Sequence, residues 1–452
     1  MRNNLWSLCF FSLFTLAVFA QETPVSSQYS FTLNEAIEFA IENSYESINA
    51  RRDVAKALKK KWETTATGLP QIDATVDYQN QLKQPVTLIP GEFSGGDPGT
   101  FVPVVFGTKE QLSATAKLSQ LLFDGSYLVG LEAAKSFLQF SNDSEEKTLL
   151  EVRKAVINSY GAVLVAQESV KILQSNKETL EKNYQEARKT FENGLNEEED
   201  VEQLQITLLQ TNNQLNNSIR QQKIALQMFN LTIGVDVDSN TVLSDGLDSL
   251  TMKNLDPSVT NKPFVIEDNV DYRLSYLLTE QRRLELKLEK TKALPSLSAF
   301  VNYGTQANSD SFTFLDNDQR WFQSSILGVN LKIPIFSSLG RSAKTKQAKI
   351  AFEQANTNFI QTQQQIQLQY NTAINDYQFS IETYETTKQN LALAERIENK
   401  NQIKYTEGLA SSLELRQAQL QLYNVQQEVL QSMLTIINKK AELETILNTP
   451  NN

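Results

Sequence analysis

From Arg341 to Glu407 the chain contains neither glycine nor proline. Nothing there breaks a helix, and ~62 helical residues at 1.5 Å each would reach ~93 Å. Globular helices are rarely so long. The apolar residues keep coiled-coil spacing. Tyr370, Ile374, Tyr377, Ile381 and Tyr384 step by four and three. Leu149, Val152, Val156, Ser159, Val163, Ala166, Val170 and Leu173 do the same earlier in the chain, and Val201, Leu204, Leu208, Thr211 and Leu215 continue on a return helix. This is the knobs-into-holes period. Polar residues dilute the seam, so a dry two-stranded rod is not expected. A tyrosine stripe at this spacing is read as core packing rather than a ligand box.

The long segments come in pairs. "FENGL" contains Gly194 and "YTEGL" contains Gly408, 214 positions later. "GLPQIDATVDYQ" (68–79) matches "ALPSLSAFVNYG" (293–304), and Pro70 and Pro295 are 225 apart. "KLSQLLFDGSYL" (117–128) matches "NLKIPIFSSLGR" (330–341), with Phe123 and Phe336 213 apart. The spacing shrinks because the first half holds a longer loop. The chain therefore reads as a tandem duplication, 31–234 and 267–449, joined by 235–266, a stretch rich in Asp, Ser and Asn that is expected to be irregular.

Each half begins with a helix that a proline ends. The first runs from Thr32 to Gly68, and Thr32-x-x-Glu35 is a capping-box signature. Strands follow. Ile72, Ala74, Val76 and Tyr78 alternate with Gln71, Asp73, Thr75 and Asp77. Leu112, Ala114, Ala116 and Leu118 alternate with Gln111, Ser113, Thr115 and Lys117. In 296–303 Leu297, Ala299, Val301 and Tyr303 alternate with polar partners, Phe300 excepted. In 323–333 Leu327, Val329, Leu331 and Ile333 alternate with Gly328, Asn330 and Lys332. Period two argues strands with one apolar and one polar face, two per half. The loop at 83–107, with Pro85, Pro90, Pro98, Pro103 and five glycines, is expected to be irregular and exposed. Gly194 and Gly408 then end the outgoing helices as left-handed caps. They are the tips of two long hairpins.

Composition removes most other chemistry. The chain has no histidine, and its one cysteine, Cys9, lies in "LWSLCFFSLFTLAVF" (5–19), which with Arg2 before it and Ala20 after it reads as a secretory signal peptide over 1–20. Imidazole bases, thiol nucleophiles and thiolate metal sites are thereby excluded. No catalytic, cofactor-binding or metal-binding residue is expected. Without Arg2 the chain carries 41 basic and 53 acidic residues. That balance repels nucleic acid. No later stretch is apolar enough for a membrane helix. An exported chain of this kind is either soluble beyond the inner membrane or part of a β-barrel in the outer one. Four strands cannot close a barrel, and open strand edges in lipid cost several kcal/mol per unpaired group. Strands placed in a membrane would have to be pooled with other copies.

These features together resemble the TolC family of outer-membrane efflux channels. The resemblance rests on the duplication, "TLNEAIEFAIENS" (32–44), the paired Leu-Pro strand starts, "PIFSSLGR" (334–341) and the two glycine turns, and it covers nearly the whole mature chain. It implies an α+β membrane protein: a homotrimer whose twelve-stranded transmembrane barrel takes four strands from each chain and continues as a long periplasmic α-helical coiled-coil barrel. It implies location in outer-membrane lipid with a large periplasmic portion. The function implied is a passive exit duct of a tripartite efflux or type I secretion system. The partners implied are a periplasmic adaptor (membrane fusion) protein and an inner-membrane RND or ABC transporter.

The resemblance also assigns residues. The tips Gly194, Leu195, Gly408, Leu409, Ser411 and Ser412 would dock the adaptor. Glu414 falls at the first acidic position of the family's periplasmic aperture and Gln417 where a second acid often sits. Tyr405 matches an aromatic latch residue, whereas Ala410 replaces its arginine partner. Asp200 is the first-repeat counterpart of Glu414. Apart from the resemblance, the two-faced alternation in a membrane requires the apolar face to meet lipid, which places Ala74, Val76, Leu112, Ala114, Leu118, Val329 and Leu331 outward, with Tyr303, Trp321 and Phe322, near strand ends, as candidates for an aromatic girdle. Two other classes fit less of the sequence. A soluble structural coiled-coil protein of the cell envelope leaves the strand pairs unexplained. A carboxylate-dependent enzyme such as a glycosidase needs two acids facing across a cleft, which helices of this length do not suggest.

Overall fold

The structure, a computed structural model, describes residues 29–194, 197–256 and 263–448. The expected signal peptide, Leu195 and the last residue of the second repeat lie outside them. In chain order the elements are β1 (Tyr29–Phe31), α1 (Leu33–Asn43), α2 (Tyr45–Ala66), β2 (Gln71–Asn80), β3 (Val86–Pro90), β4 (Phe101–Val105), β5 (Glu110–Asp124), α3 (Gly125–Glu192) and α4 (Glu198–Ile233). Then come β6 (Thr241–Leu243), α5 (Leu247–Asn254), α6 (Val270–Thr291), β7 (Ser296–Ser309), β8 (Phe322–Lys332), α7 (Gly340–Thr406) and α8 (Ser412–Ile446). The order helix, two long strands, long helix, return helix occurs twice. The outgoing helices α3 and α7 have 68 and 67 residues, about 100 Å each.

Three expectations need correction. The first helix is two helices. Thr32 caps α1 in a full capping box with Glu35, but Ser44 is extended (φ −63°, ψ 147°) and separates α1 from α2. Asn43 and Ser44 favour local side-chain and turn bonding over helix continuation, and the Asn43 amide donates to the Phe39 carbonyl. The loop at 83–107 is not wholly irregular. It forms an antiparallel ribbon of β3 and β4 in which Leu88 pairs with Pro103. A two-stranded ribbon is all edge, so prolines fit it. The connection also has structure: β6 pairs in parallel with β1, and α5 follows.

The chain forms two units. One comprises 29–44, the described part of 155–255, and 382–438. Its core holds Tyr160, Phe229, Ile233, Ile436 and Ile437, all fully buried, each contributing roughly 1.5–3 kcal/mol. The Tyr160 hydroxyl donates to the Phe31 carbonyl at 3.0 Å and accepts from the Asp245 amide at 3.2 Å. The Asp245 carboxylate in turn accepts from the Leu33 amide. That network fixes β1 and the start of α1. Burial pushes the Tyr160 hydroxyl well above the ordinary tyrosine range.

The other unit comprises 45–154, the described part of 256–381, and 439–448. It holds the four-stranded sheet, order β2-β5-β7-β8, every neighbouring pair antiparallel. The tyrosine stripe is core, as its spacing predicts: Tyr377 is fully buried and Tyr384, in the first unit, nearly so. The seam runs through Ile366, Ala373, Tyr377 and Ser380 rather than Ile374 and Ile381, which are half-buried. The Tyr377 hydroxyl accepts from the Asp256 amide, which satisfies the polar tip of a buried ring. Arg153 and Glu444 form a nearly buried ion pair at 2.9 Å. Such a pair adds little net stability but is costly to break, so it fixes how α3 and α8 meet.

Candidate functional site: sheet face and hairpin tips

Register decides which strand residues share a face. Ile72, Ala74, Val76 and Tyr78 pair with Leu118, Ala116, Ala114 and Leu112. Leu118, Ala116 and Ala114 pair onward with Val301, Tyr303 and Thr305, and Val301 with Leu327. Ala299 pairs with Val329 and Leu297 with Leu331. The period-two apolar residues of all four strands thus fall on one face. The bulge between Leu121 and Phe123 moves Phe123 onto that face opposite Leu297. The face is uncovered: Ile72, Val76 and Leu327 are 71–77% exposed. An apolar patch of this extent marks a membrane or protein contact. β2 and β8 each leave one edge unpaired.

The opposite face is polar, and it contains the Phe300 exception. Phe300 pairs with Gly328, and a Cβ added to Gly328 would lie 2.4 Å from the Phe300 ring. The ring lies across the glycine and the Lys117 ammonium sits 5.7 Å from its centre. The three residues expected near strand ends divide. Tyr303 sits mid-strand between Ala116 and Ser325, not near an end. Trp321 and Phe322 do mark the start of β8. Sequence reasoning missed Phe312 and Phe314, which pack edge-on against Tyr78 with ring centres 5.8 and 6.0 Å away, at the same end of the sheet. Their connection carries no periodicity that would have revealed this.

The hairpin tips lie in the unit that holds Tyr160. Gly194 and Gly408 have φ of 72° and 73°, the left-handed geometry that stops a helix. The Leu409 amide donates to the Lys404 carbonyl at 2.7 Å, closing the second turn. Leu409 is 79% exposed. Its first-repeat partner Leu195 lies outside the described residues. Ser411 and Glu414 form a capping box at the start of α8. The Glu414 carboxylate accepts from the Ser411 amide at 2.9 Å, and the Ser411 hydroxyl accepts from the Glu414 amide at 3.3 Å. The spacing is that of Thr32 and Glu35, so the signal was present in the sequence and went unread. Glu414 and Gln417 share the exposed side of α8, while Leu415 and Ala418 turn inward.

Other tip residues tie the hairpins together. The Ser412 hydroxyl, nearly buried, donates to the Asp200 carboxylate of α4. Tyr405 packs against Ala187, Val201 and Leu204 of the first hairpin. Farther along, the Asn183 and Gln402 amides exchange hydrogen bonds of 2.9 and 3.2 Å. Among the described residues no helix is long and apolar enough to cross a membrane. The features that set this chain apart are therefore one exposed apolar sheet face and two cross-tied hairpin tips.

Comparison with known proteins identifies the fold and the family. The family model for outer membrane efflux proteins matches residues 36–235 and 275–449. The outer membrane protein TolC of Vibrio cholerae is 23% identical over 339 residues, covering 73% of this chain and 71% of that protein. Among solved structures, the outer membrane protein VceC of Vibrio cholerae matches with a TM-score of 0.70 at 15% identity, covering 92% of this chain and 96% of VceC. The CmeC outer membrane channel of Campylobacter jejuni matches with a TM-score of 0.72 at 16% identity, covering 92% and 85%. With its fold shared by these channels and most of its length matched by the family, the chain belongs to the outer membrane efflux protein family, non-enzymatic TolC-like channels of the outer membrane with a large periplasmic helical portion.

Proposed function

We propose that three copies of this chain form a passive exit duct, closing a twelve-stranded barrel from four strands each. One observation carries the reading: a sheet whose apolar residues share a single exposed face and whose outer strands β2 and β8 each have an open edge. In lipid those open edges cost several kcal/mol per unpaired group, and pairing β8 of one copy with β2 of the next removes them. The polar face then lines the lumen. Uncovered apolar residues on α4 and α7, among them Leu209, Met228, Ile360 and Leu368, give the copies further surface to bury. A soluble coiled coil leaves the sheet face without a purpose.

The duct works within a tripartite system. An inner-membrane RND or ABC transporter supplies the energy, and a periplasmic adaptor docks on the tips through Gly194, Leu195, Gly408, Leu409, Ser411 and Ser412. Glu414 and Gln417, with Tyr405 behind them, narrow the periplasmic end. A ring of Glu414 carboxylates concentrates cations and repels anions. Mass measurement of the detergent-purified protein tests the assembly: three copies are expected, and a monodisperse monomer overturns the reading.

A further inference from the structure

We propose that the helix-side end of the sheet is an anionic-phospholipid surface, built from Leu58, Lys61 and Trp62 of α2 and from Phe336, Lys344 and Lys346 at the entry to α7. The proposal rests on the outer-membrane barrel reading and adds the lipid chemistry at its inner rim. Topology brings the pieces to one end of the sheet, at its two edge strands, and pairing β8 of one copy with β2 of the next would set them side by side. α2 ends at Ala66, just before β2, and α7 starts at Gly340, just after β8. At 1.5 Å per residue the helical members start within about 12 Å of the helix ends that lead into the sheet.

Charge is the first observation. The chain carries a net charge of −11, yet residues 56–61 contain four lysines, and 341–352 contain four basic residues and no acid. Lys60 pairs with Glu63 and Lys349 with Glu353. Lys56, Lys59, Lys61, Lys344 and Lys346 have no carboxylate partner among the described residues. The helix itself gains nothing from the second group. α7 has no acidic residue in its first turn, and cations at a helix N-terminus oppose the macrodipole.

Apolar exposure beside that charge is the second. Trp62 is 62% exposed with Leu58 one helical turn before it, also exposed. After β8 the backbone turns sharply. The Arg341 guanidinium donates to the carbonyls of Pro334 and Ile335, and Ser338 and Leu339 take positive φ. This turn holds Ile335 and Phe336 outward, 89% and 82% exposed. The sheet's apolar face runs down to this same end through Leu297 and Leu331. Tryptophan beside lysine is the chemistry of a membrane interface: the ring sits at headgroup depth and the ammonium reaches a phosphate.

The test uses full-length protein in lipid nanodiscs. Tryptophans 6 and 321 are replaced by phenylalanine, leaving Trp62 as the only one of three. The particles contain phosphatidylcholine with either brominated phosphatidylglycerol or brominated phosphatidylcholine at equal mole fraction. Trp62 emission is expected to be quenched, about threefold more by the anionic lipid, and K61Q/K344Q/K346Q should remove that preference. A parallel protein carries V329W and no other tryptophan. Quenching of V329W without quenching of Trp62 overturns the proposal and leaves the barrel reading standing, with a second copy or solvent over Trp62. Equal quenching of Trp62 by both lipids also overturns it. If neither tryptophan is quenched, the membrane reading falls together with it.

Discussion

The two hairpin tips share a turn and differ in what lies behind it. Gly194 and Gly408 have φ within a degree of each other. Behind the first, Ala187, Val201 and Leu204 close an apolar cluster in which none is more than 9% exposed. The residue 214 positions after Tyr184, which borders that cluster, is Glu398. It lies in the second hairpin with Gln419, fully buried, and Tyr423. Burial pushes the Glu398 carboxyl up. It also pushes the Tyr423 hydroxyl up, with the Glu398 charge adding to it. Their helix starts differ too. Glu197 precedes α4 without a side-chain cap, whereas α8 has the Ser411–Glu414 box. A duplicated turn therefore fixes the chain's direction but not its seam. Both seams bury apolar and polar residues, and what separates them is a carboxylate, Glu398, where the first hairpin has Tyr184.

The sharpest way to separate the tips is functional. Leu409→Asp puts a charge on a side chain that touches little, so the fold should survive while adaptor docking fails. Loss of export complementation with normal oligomers is the expected outcome. Normal export would assign docking to the first tip or elsewhere.

A milder test asks whether the turns themselves are equivalent. Nothing lies within 4 Å of a Cβ added at either glycine. Gly194→Ala and Gly408→Ala should each cost only the left-handed strain, about 1–2 kcal/mol, and cost it equally. Hydrogen exchange in the last turns of α3 and α7 measures this. A clear inequality would show that one turn is braced by contacts the other lacks.

Much of this architecture was legible because it rests on local rules. Alternation placed the strands within a few residues in β2 and β8, and the two glycines placed both tips. What escaped depends on partners distant in sequence. The bulge at Leu121–Phe123 is visible only in register with β7, and Gly328 makes sense only under Phe300. Tyr303 looked like a strand end because β7 continues to Ser309 through Gly304, Thr305 and Gln306, which lack apolar alternation. The Ser411–Glu414 box was a local signal, overlooked because Glu414 was read as a pore residue. Glu414 caps α8 in the structure, and the pore role proposed for it can be tested apart from that cap.

Glutamine can replace glutamate in a capping box, which separates them. Glu414→Ala loses cap and charge, at a cost of about 1 kcal/mol to the start of α8. Glu414→Gln keeps the cap and loses only charge. In planar bilayers, cation selectivity and divalent block should weaken equally in both variants if the carboxylate ring sets them, with Glu382→Ala unchanged. A change in Glu414→Ala alone would assign the effect to the cap and move the constriction elsewhere.

The smallest expected effect reads the seam difference directly. Free glutamate titrates near 4.3, and Glu398 in the folded hairpin holds its proton to higher pH. The folded state therefore binds more protons than the unfolded one as pH rises past that value, and the hairpin loses stability from there up to the folded-state value. Glu398→Gln removes the titration. At pH 7 the variant should melt slightly higher, on the order of 1 °C since the group is partly solvated. Near pH 4, where wild-type Glu398 is protonated, the two should coincide. Tyr184→Phe in the first hairpin should show no such dependence between pH 4 and 7, because no carboxylate occupies that seam position. A Glu398→Gln effect of equal size at both pH values would mean that packing, not charge, distinguishes the hairpins.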